Sequence, residues 1–313
     1  MLNLHRLALL EELQRRGSLA AVADALSFTP STVSQQLKVL EGEVGAQLVE
    51  RVGRGLRLTK EGELLADHAT GIFSLVEIAQ AEVAAVRAEP AGNVRVAALQ
   101  TVALALVPHV LQRLASTSPQ LRMLVSRIEP ARALGALAAR EFDLVIGEEY
   151  PGQPVTRTGL LHRTTILLDS LDLVVPPNYE GGRTIASAAE SLPWVMEPEG
   201  SDARRWSMSM CRNAGIEPNV QFESDDLLVQ MRLVEKGHAM ALLPRLLIES
   251  ERPALQSVRL DGAPARKVFA AYRAGAEVAP AISTVLEAFA SAASRAPSPT
   301  VAAEGEASSA RYV

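Results

Sequence analysis

The chain has 313 residues, 48% of them hydrophobic and 21% charged, which implies two or more ordinary globular domains. A lone cysteine, Cys211, excludes an internal disulfide, and no stretch approaches the roughly 20 apolar residues of a membrane helix. His5, Arg6, Glu11 and Glu12 interrupt the leucine-rich start before a signal-peptide core can form, so the protein is expected in the cytoplasm with no membrane partner.

Residues 4–16 are leucine-rich, free of Gly and Pro, and stop at Gly17, as a helix does. Ser18 stands as an N-cap before a second short helix, "LAAVADAL". "SFTP" makes a turn, and Pro30 suits the first position of a third helix. On that helix Val33, Leu37, Leu40 and Val44 form the buried stripe. Ser31, Ser34, Gln35 and Lys38 share the opposite face. Short hydroxyls, an amide and a cation, with no acid among them, suit a helix lying in a DNA major groove. Taken alone, the same stripe also fits a plain solvated face. After Gly45, "LVERVGRGLRLT" reads as a hairpin whose basic tip carries Arg51 and Arg54. An arginine held between Gly53 and Gly55 can enter a minor groove or hold a phosphate. The net charge is −5, yet residues 1–60 hold eight Lys/Arg against six Asp/Glu, a basic head on an acidic body.

Three helices and a basic hairpin make a winged helix-turn-helix. Over residues 4–62, "GSLAAVADALSFTPSTVSQQLKVLEGEVGAQLVER" followed by "LTKEG" resembles the DNA-binding head of LysR-type transcriptional regulators. The resemblance adds Thr29 and Pro30 as DNA contacts and implies a promoter with an imperfect palindrome as target.

Thr59 can cap the next helix, which meets no proline before Pro90. Leu65, Ala69, Ile72, Val76, Ala79, Val83 and Val86 recur at heptad spacing, so this helix is expected to pair with a second copy of itself. The resemblance implies the same linker-helix homodimer, assembled further into a homotetramer. The expected organisation is a DNA-binding domain over 1–58 and a dimerising helix over 59–88. An effector domain follows over 93–290, with lobe I near 93–165 and 268–290 and lobe II near 166–267. Residues 291–313, rich in Ala, Ser, Pro and Glu, are expected to be a disordered tail.

Short apolar runs at 94–99, 122–128, 142–147, 171–176, 191–196, 219–223 and 239–244 read as strands. Helical stretches near 102–115, 131–140, 203–214 and 225–236 alternate with them, predicting an α/β body with a parallel sheet. This body resembles the effector domain of the same regulators, itself similar to periplasmic solute-binding proteins. Ligands in such sheets sit beyond the carboxyl ends of strands. That rule selects Gln100, Thr101, Glu129, Pro130, Gly147 and Glu148, together with residues 197–202 and 224–226. The resemblance places effector contacts at Thr101, Gly200, Ser201 and Ser224, whereas Glu129 and Pro130 depart from the small polar residue that many relatives carry there. Glu129, Glu148, Glu149, Glu197, Glu199, Asp202, Asp225 and Asp226 all fall in these loops. If several face the cleft, an amine-bearing or zwitterionic effector is favoured over a dianionic one.

The five histidines show no metal-ligand spacing, and there is no nucleophile elbow or Gly-rich phosphate loop. Neither catalysis nor a cofactor is expected, and Cys211 reads as a small core residue. The leading expectation is a DNA-binding regulator whose body senses a small molecule. The alternatives are a cytoplasmic solute-binding protein and an architectural DNA-binding protein without effector.

Overall fold

The computed structural model describes residues 2–25, 28–52, 55–85, 90–128, 130–154, 161–182, 184–251 and 255–295. Two compact units emerge: Met1–Glu89 with Arg273–Pro280, and Pro90–Tyr272 with Ala281–Val313.

The first unit begins with α1 (Leu4–Arg16). The Asn3 side chain accepts from the backbone of His5 and Arg6, and Gly17 ends the helix in the left-handed region at φ 72°. α2 (Leu19–Ala25) follows, its Ala21 amide donating to the Ser18 hydroxyl. α3 (Pro30–Val44) starts with Thr29 as N-cap and Pro30 in its first turn. Leu9, Leu10 and Leu13 of α1 enclose Val22, Val33, Leu37 and Leu40 in one core. Full burial of each such side chain contributes about 1.5–3 kcal/mol. Val44, expected inside, is 37% exposed because α3 runs past that core by one turn. The hairpin is present as β1 (Val49–Val52) against β2 (Gly55–Leu58), antiparallel, and α4 (Lys60–Ala85) follows.

The second unit starts with β3 (Gly92–Ala98), α5 (Gln100–Ala105) and α6 (Val107–Thr117). The single helix expected over 102–115 is thus two, broken at Leu106 ahead of Pro108. Next come β4 (Leu121–Arg127), α7 (Pro130–Ala138), β5 (Leu144–Glu149) and β6 (Leu161–Val175). Beyond β6 lie α8 (Ile185–Ala189), β7 (Trp194–Met196), α9 (Asp202–Asn213), β8 (Val220–Glu223) and α10 (Leu227–Glu235). β9 (Ala241–Pro244), α11 (Arg245–Glu251), β10 (Gln256–Arg259), β11 (Ala265–Arg273) and α12 (Pro280–Ala293) complete the chain.

β3 lies between parallel neighbours β4 and β5, but β11 pairs antiparallel with β5, and β9 and β10 pair antiparallel with β6. The sheet is therefore mixed, not parallel as expected. It is joined through β6, which spans 15 residues where the sequence showed only 171–176. The first half of β6 is half-buried and polar, so it lacks the continuous apolar run that marks a covered strand. One core gathers around Leu137, Val145 and Phe269, and two others around Trp194 and Trp206 and around Met231 and Leu247. Among the described residues no helix is long and apolar enough to cross a membrane.

Candidate nucleic-acid interface and effector cleft

Burial of Val33, Leu37 and Leu40 turns the opposite side of α3 to solvent. Ser31, Gln35 and Lys38 are exposed there and Ser34 is half-buried. Among the described residues no side-chain hydrogen bond or ion pair engages Gln35 or Lys38. Thr29 lies within 2.8 Å of the hydroxyls of both Ser31 and Thr32, so its oxygen is already occupied in the cap. Pro30 is exposed beside it. Behind the helix, Arg6 donates to Gln36 at 3.0 Å and pairs with Glu43. In the wing Arg51 is exposed, while Arg57 pairs with Glu50 directly across the hairpin. Arg54 lies outside the described residues.

α4 carries its apolar residues in a register that differs from the expected seam. Ala69 is fully buried and Leu65 packs on the head core. Ile72 and Val76 are half-buried, and Ala79 and Val83 are exposed. Leu64, Leu75 and Val83 are 62%, 67% and 66% exposed, so of the expected seam only Ala79 and Val83 face outward among the described residues, and Leu64 and Leu75 join them. Val86 is outside the described residues.

In the second unit the residues expected to hold an effector are largely occupied by one another. Arg266, on β11, is 1% exposed. Its Nε and Nη2 donate to Asp169 of β6 at 3.0 and 2.8 Å, its Nη2 also to the Thr101 hydroxyl at 2.7 Å, and its Nη1 to Glu148. Burial alone would lower the Arg266 pKa, but the Glu148 and Asp169 carboxylates override it and hold the guanidinium charged. Asp169 also accepts the Leu246 backbone N–H at 2.9 Å. Gln100 donates to Asp226 at 2.8 Å and accepts from the Leu227 amide at 3.1 Å, and the bond to Asp226 holds that carboxyl below the usual carboxylate range. Ser201 caps α9 through the Arg204 amide, and Ser224 accepts from the Asp226 amide. Gly200 sits at φ 91° and its carbonyl accepts from Arg205. A Cβ on Gly147 would meet the Phe269 ring at 2.7 Å, so this glycine serves packing. Glu129 lies outside the described residues.

The acidic character expected of the cleft is mostly neutralised. Glu148 pairs with Arg266, Glu149 with Lys267, Asp202 with Arg205 and Asp225 with Arg127, and Glu199 points to solvent. Glu197 differs: burial and the neighbouring Glu148 push its carboxyl up to about 7. With Tyr150, Ser207 and Gln230, and with Val195, Met196 and Leu242 on its apolar side, it lines a void of only about 10 Å³. Tyr150 is also raised well above the ordinary phenol range, first by burial and then by Glu148. Sequence reading missed Arg266, Asp169 and Tyr150. Its one available signal was charge inside apolar strand runs, "LLDSLDLVV" and "ARKVFAAYR", where a buried ion needs a partner.

Residues 4–63 match the family model of the bacterial regulatory helix-turn-helix protein, lysR family, and residues 87–294 that of the LysR substrate binding domain. The chain belongs to the LysR family. It is a DNA-binding transcriptional regulator with a substrate-binding domain, not an enzyme. Among LysR-family relatives, it is 30% identical over 205 residues to the uncharacterized HTH-type transcriptional regulator YdcI of Escherichia coli K12, covering 64% of this chain and 65% of that one. It is 27% identical over 252 residues to the hydrogen peroxide-inducible genes activator of Escherichia coli O6:H1, covering 80% and 82%. A full-length OxyR variant from Pseudomonas aeruginosa shares the fold at TM-score 0.66 and 20% identity, over 92% of this chain and 95% of that one.

Proposed function

We propose that this LysR-family regulator reads an imperfectly palindromic promoter through Ser31, Ser34, Gln35 and Lys38 of α3, with Thr29 and Pro30 at the helix start and Arg51 and Arg54 on the wing. The observation that carries this reading is the exposed pair Gln35 and Lys38, without a partner among the described residues, above a fully buried Val33–Leu37–Leu40 row. An amide and a cation so placed match the hydrogen-bonding edges of bases and the phosphates beside them. Self-association runs through the outward face of α4, at Leu64, Leu75, Ala79 and Val83, and places two heads on two half-sites. The edge strand β4, with α6, carries an apolar groove of about 350 Å³ that suits a further contact between copies. In the cytoplasm, a small-molecule effector binds the substrate-binding domain beside Glu148 and Glu197 and shifts the population between two arrangements of the oligomer on DNA.

The test is retention of fragmented host DNA at moderate salt by the protein and by a Ser31→Ala, Gln35→Ala, Lys38→Ala variant. Enrichment of one imperfect palindrome, lost in the variant, is expected. Equal, sequence-indifferent retention by both would return α3 to an ordinary solvated face. For the effector, with Glu148, Glu149, Asp202 and Asp225 each paired, the preference for an amine rests on Glu197, and calorimetry should show amino acids binding more tightly than dicarboxylates. The reverse order would remove the preference for an amine.

A peroxide response, carried by the name of one relative, finds no support in this chain. Its single thiol, Cys211, is fully buried, and burial followed by Glu217 pushes its pKa up to about 12, leaving almost no thiolate at neutral pH.

A further inference from the structure

Glu41 follows Leu40 on α3 at the border between the buried row and the exposed polar face, and is itself half-buried. Among the described residues no cation pairs with it. Its Oε1 instead accepts two backbone N–H groups at the root of the wing, Leu48 at 2.8 Å and Val49 at 3.1 Å. Both are bonds to an ionised acceptor, the stronger class of hydrogen bond. Leu48 is held from its other end too. Its carbonyl accepts the Thr59 amide at 3.0 Å, and a Cβ on Gly62 of α4 would lie 2.1 Å from that same oxygen. Thr59 also donates its hydroxyl to the Gln47 carbonyl at 2.7 Å and accepts from the Gly62 amide at 3.1 Å.

The covalent route from α3 to β1 passes through Gly45, at φ 76°, and the irregular residues Ala46 to Leu48. Such a segment has many accessible conformations and by itself sets no angle between helix and wing. The carboxylate of Glu41 bridges it. We propose that Glu41 is a positioning residue for DNA recognition: it ties the wing root to the recognition helix, so that helix and wing meet one stretch of DNA in a fixed register. Two contacts held in register act as one bivalent contact, and freeing the wing removes that gain without touching the residues that face DNA. The inference rests on the reading of the wing as a DNA contact.

Hydroxyl-radical footprints and salt titrations on a retained promoter fragment test it, using the full chain and its Arg51→Ala, Glu41→Ala, Glu41→Asp and Glu41→Gln variants. Arg51→Ala should lose protection of the flank beneath the wing and reduce the salt slope by about one. Glu41→Ala should lose the same flank and about tenfold in affinity, with protection by α3 at the centre intact. Glu41→Asp keeps the charge but is one methylene too short to reach both amides, and should behave like Glu41→Ala, which covers the case in which the alanine variant fails to fold. Glu41→Gln retains an amide oxygen at the same place and should recover most of the flank. Flank protection lost in Arg51→Ala but kept in Glu41→Ala or Glu41→Asp overturns this inference alone. A flank unprotected in the unaltered protein overturns the reading of the wing and this inference with it.

Discussion

On α3, Gln35 and Lys38 stand exposed three residues apart, while in the second unit Arg266 reaches Thr101 across 165 positions of sequence to form a buried bond. Gln35 and Lys38 have no side-chain partner among the described residues, so an outside ligand can engage them without breaking an internal bond, whereas Thr29 and Ser31 already bond each other. The polar groups of the body are already consumed by one another, so any ligand must compete with the Arg266 network or use what it leaves over. The same residue types therefore stand exposed in one unit and serve internal cohesion in the other. Burial decides between them, because an unpaired polar group is tolerable in water and costly inside.

Replacing Arg266 is the strongest way to probe this contrast. Arg266→Met leaves Glu148 and Asp169 in a buried site without their cation, and should destabilise the body by about 3–5 kcal/mol in urea unfolding. DNA binding by the head at low temperature should persist. An unchanged body transition would show that the network is dispensable and the contrast false. Gly62→Ala probes the head, where the new Cβ must displace the Leu48 carbonyl; a loss of about 2–3 kcal/mol in the head's unfolding transition is expected, with the body unaffected.

Glu197→Gln sharpens the contrast through pH. The folded carboxyl titrates near 7, above its unfolded value, so the folded state binds more protons between the two. Its ionisation opposes folding as pH rises through that window, and the cost is complete above it. The variant should therefore gain about 2 kcal/mol at pH 8, a figure reduced for residual solvent, and nothing near pH 4. Melting curves at the two pH values decide this; equal gains at both would mean that Glu197 is not buried as a charge. The smallest effect belongs to Cys211: hydrogen peroxide at levels that oxidise exposed thiols should leave promoter binding unchanged, and Cys211→Ala should give the same result.

In the head, sequence and structure agree closely. The stripe of Val33, Leu37 and Leu40, Pro30 in the first turn and the glycine ends at Gly17 and Gly45 are all local signals, written within one or two helical turns. Local periodicity also marked Gln35 and Lys38, since a residue opposite a buried stripe must be exposed. The same periodicity failed at Ala69, which is buried rather than presented outward, and at Val44, where the core had already ended.

What the sequence by itself determined is therefore the winged head, the exposure of the polar face of α3 and the general alternation of strands and helices as far as β9. Each follows from interactions between residues only a few positions apart. The tertiary structure alone decided that β6 runs 15 residues, that the sheet is mixed, and that Thr101 and Glu148 belong to Arg266. Those outcomes depend on pairings between strands far apart in the chain, and hydrophobic period carries no information about which distant partner a buried charge will find.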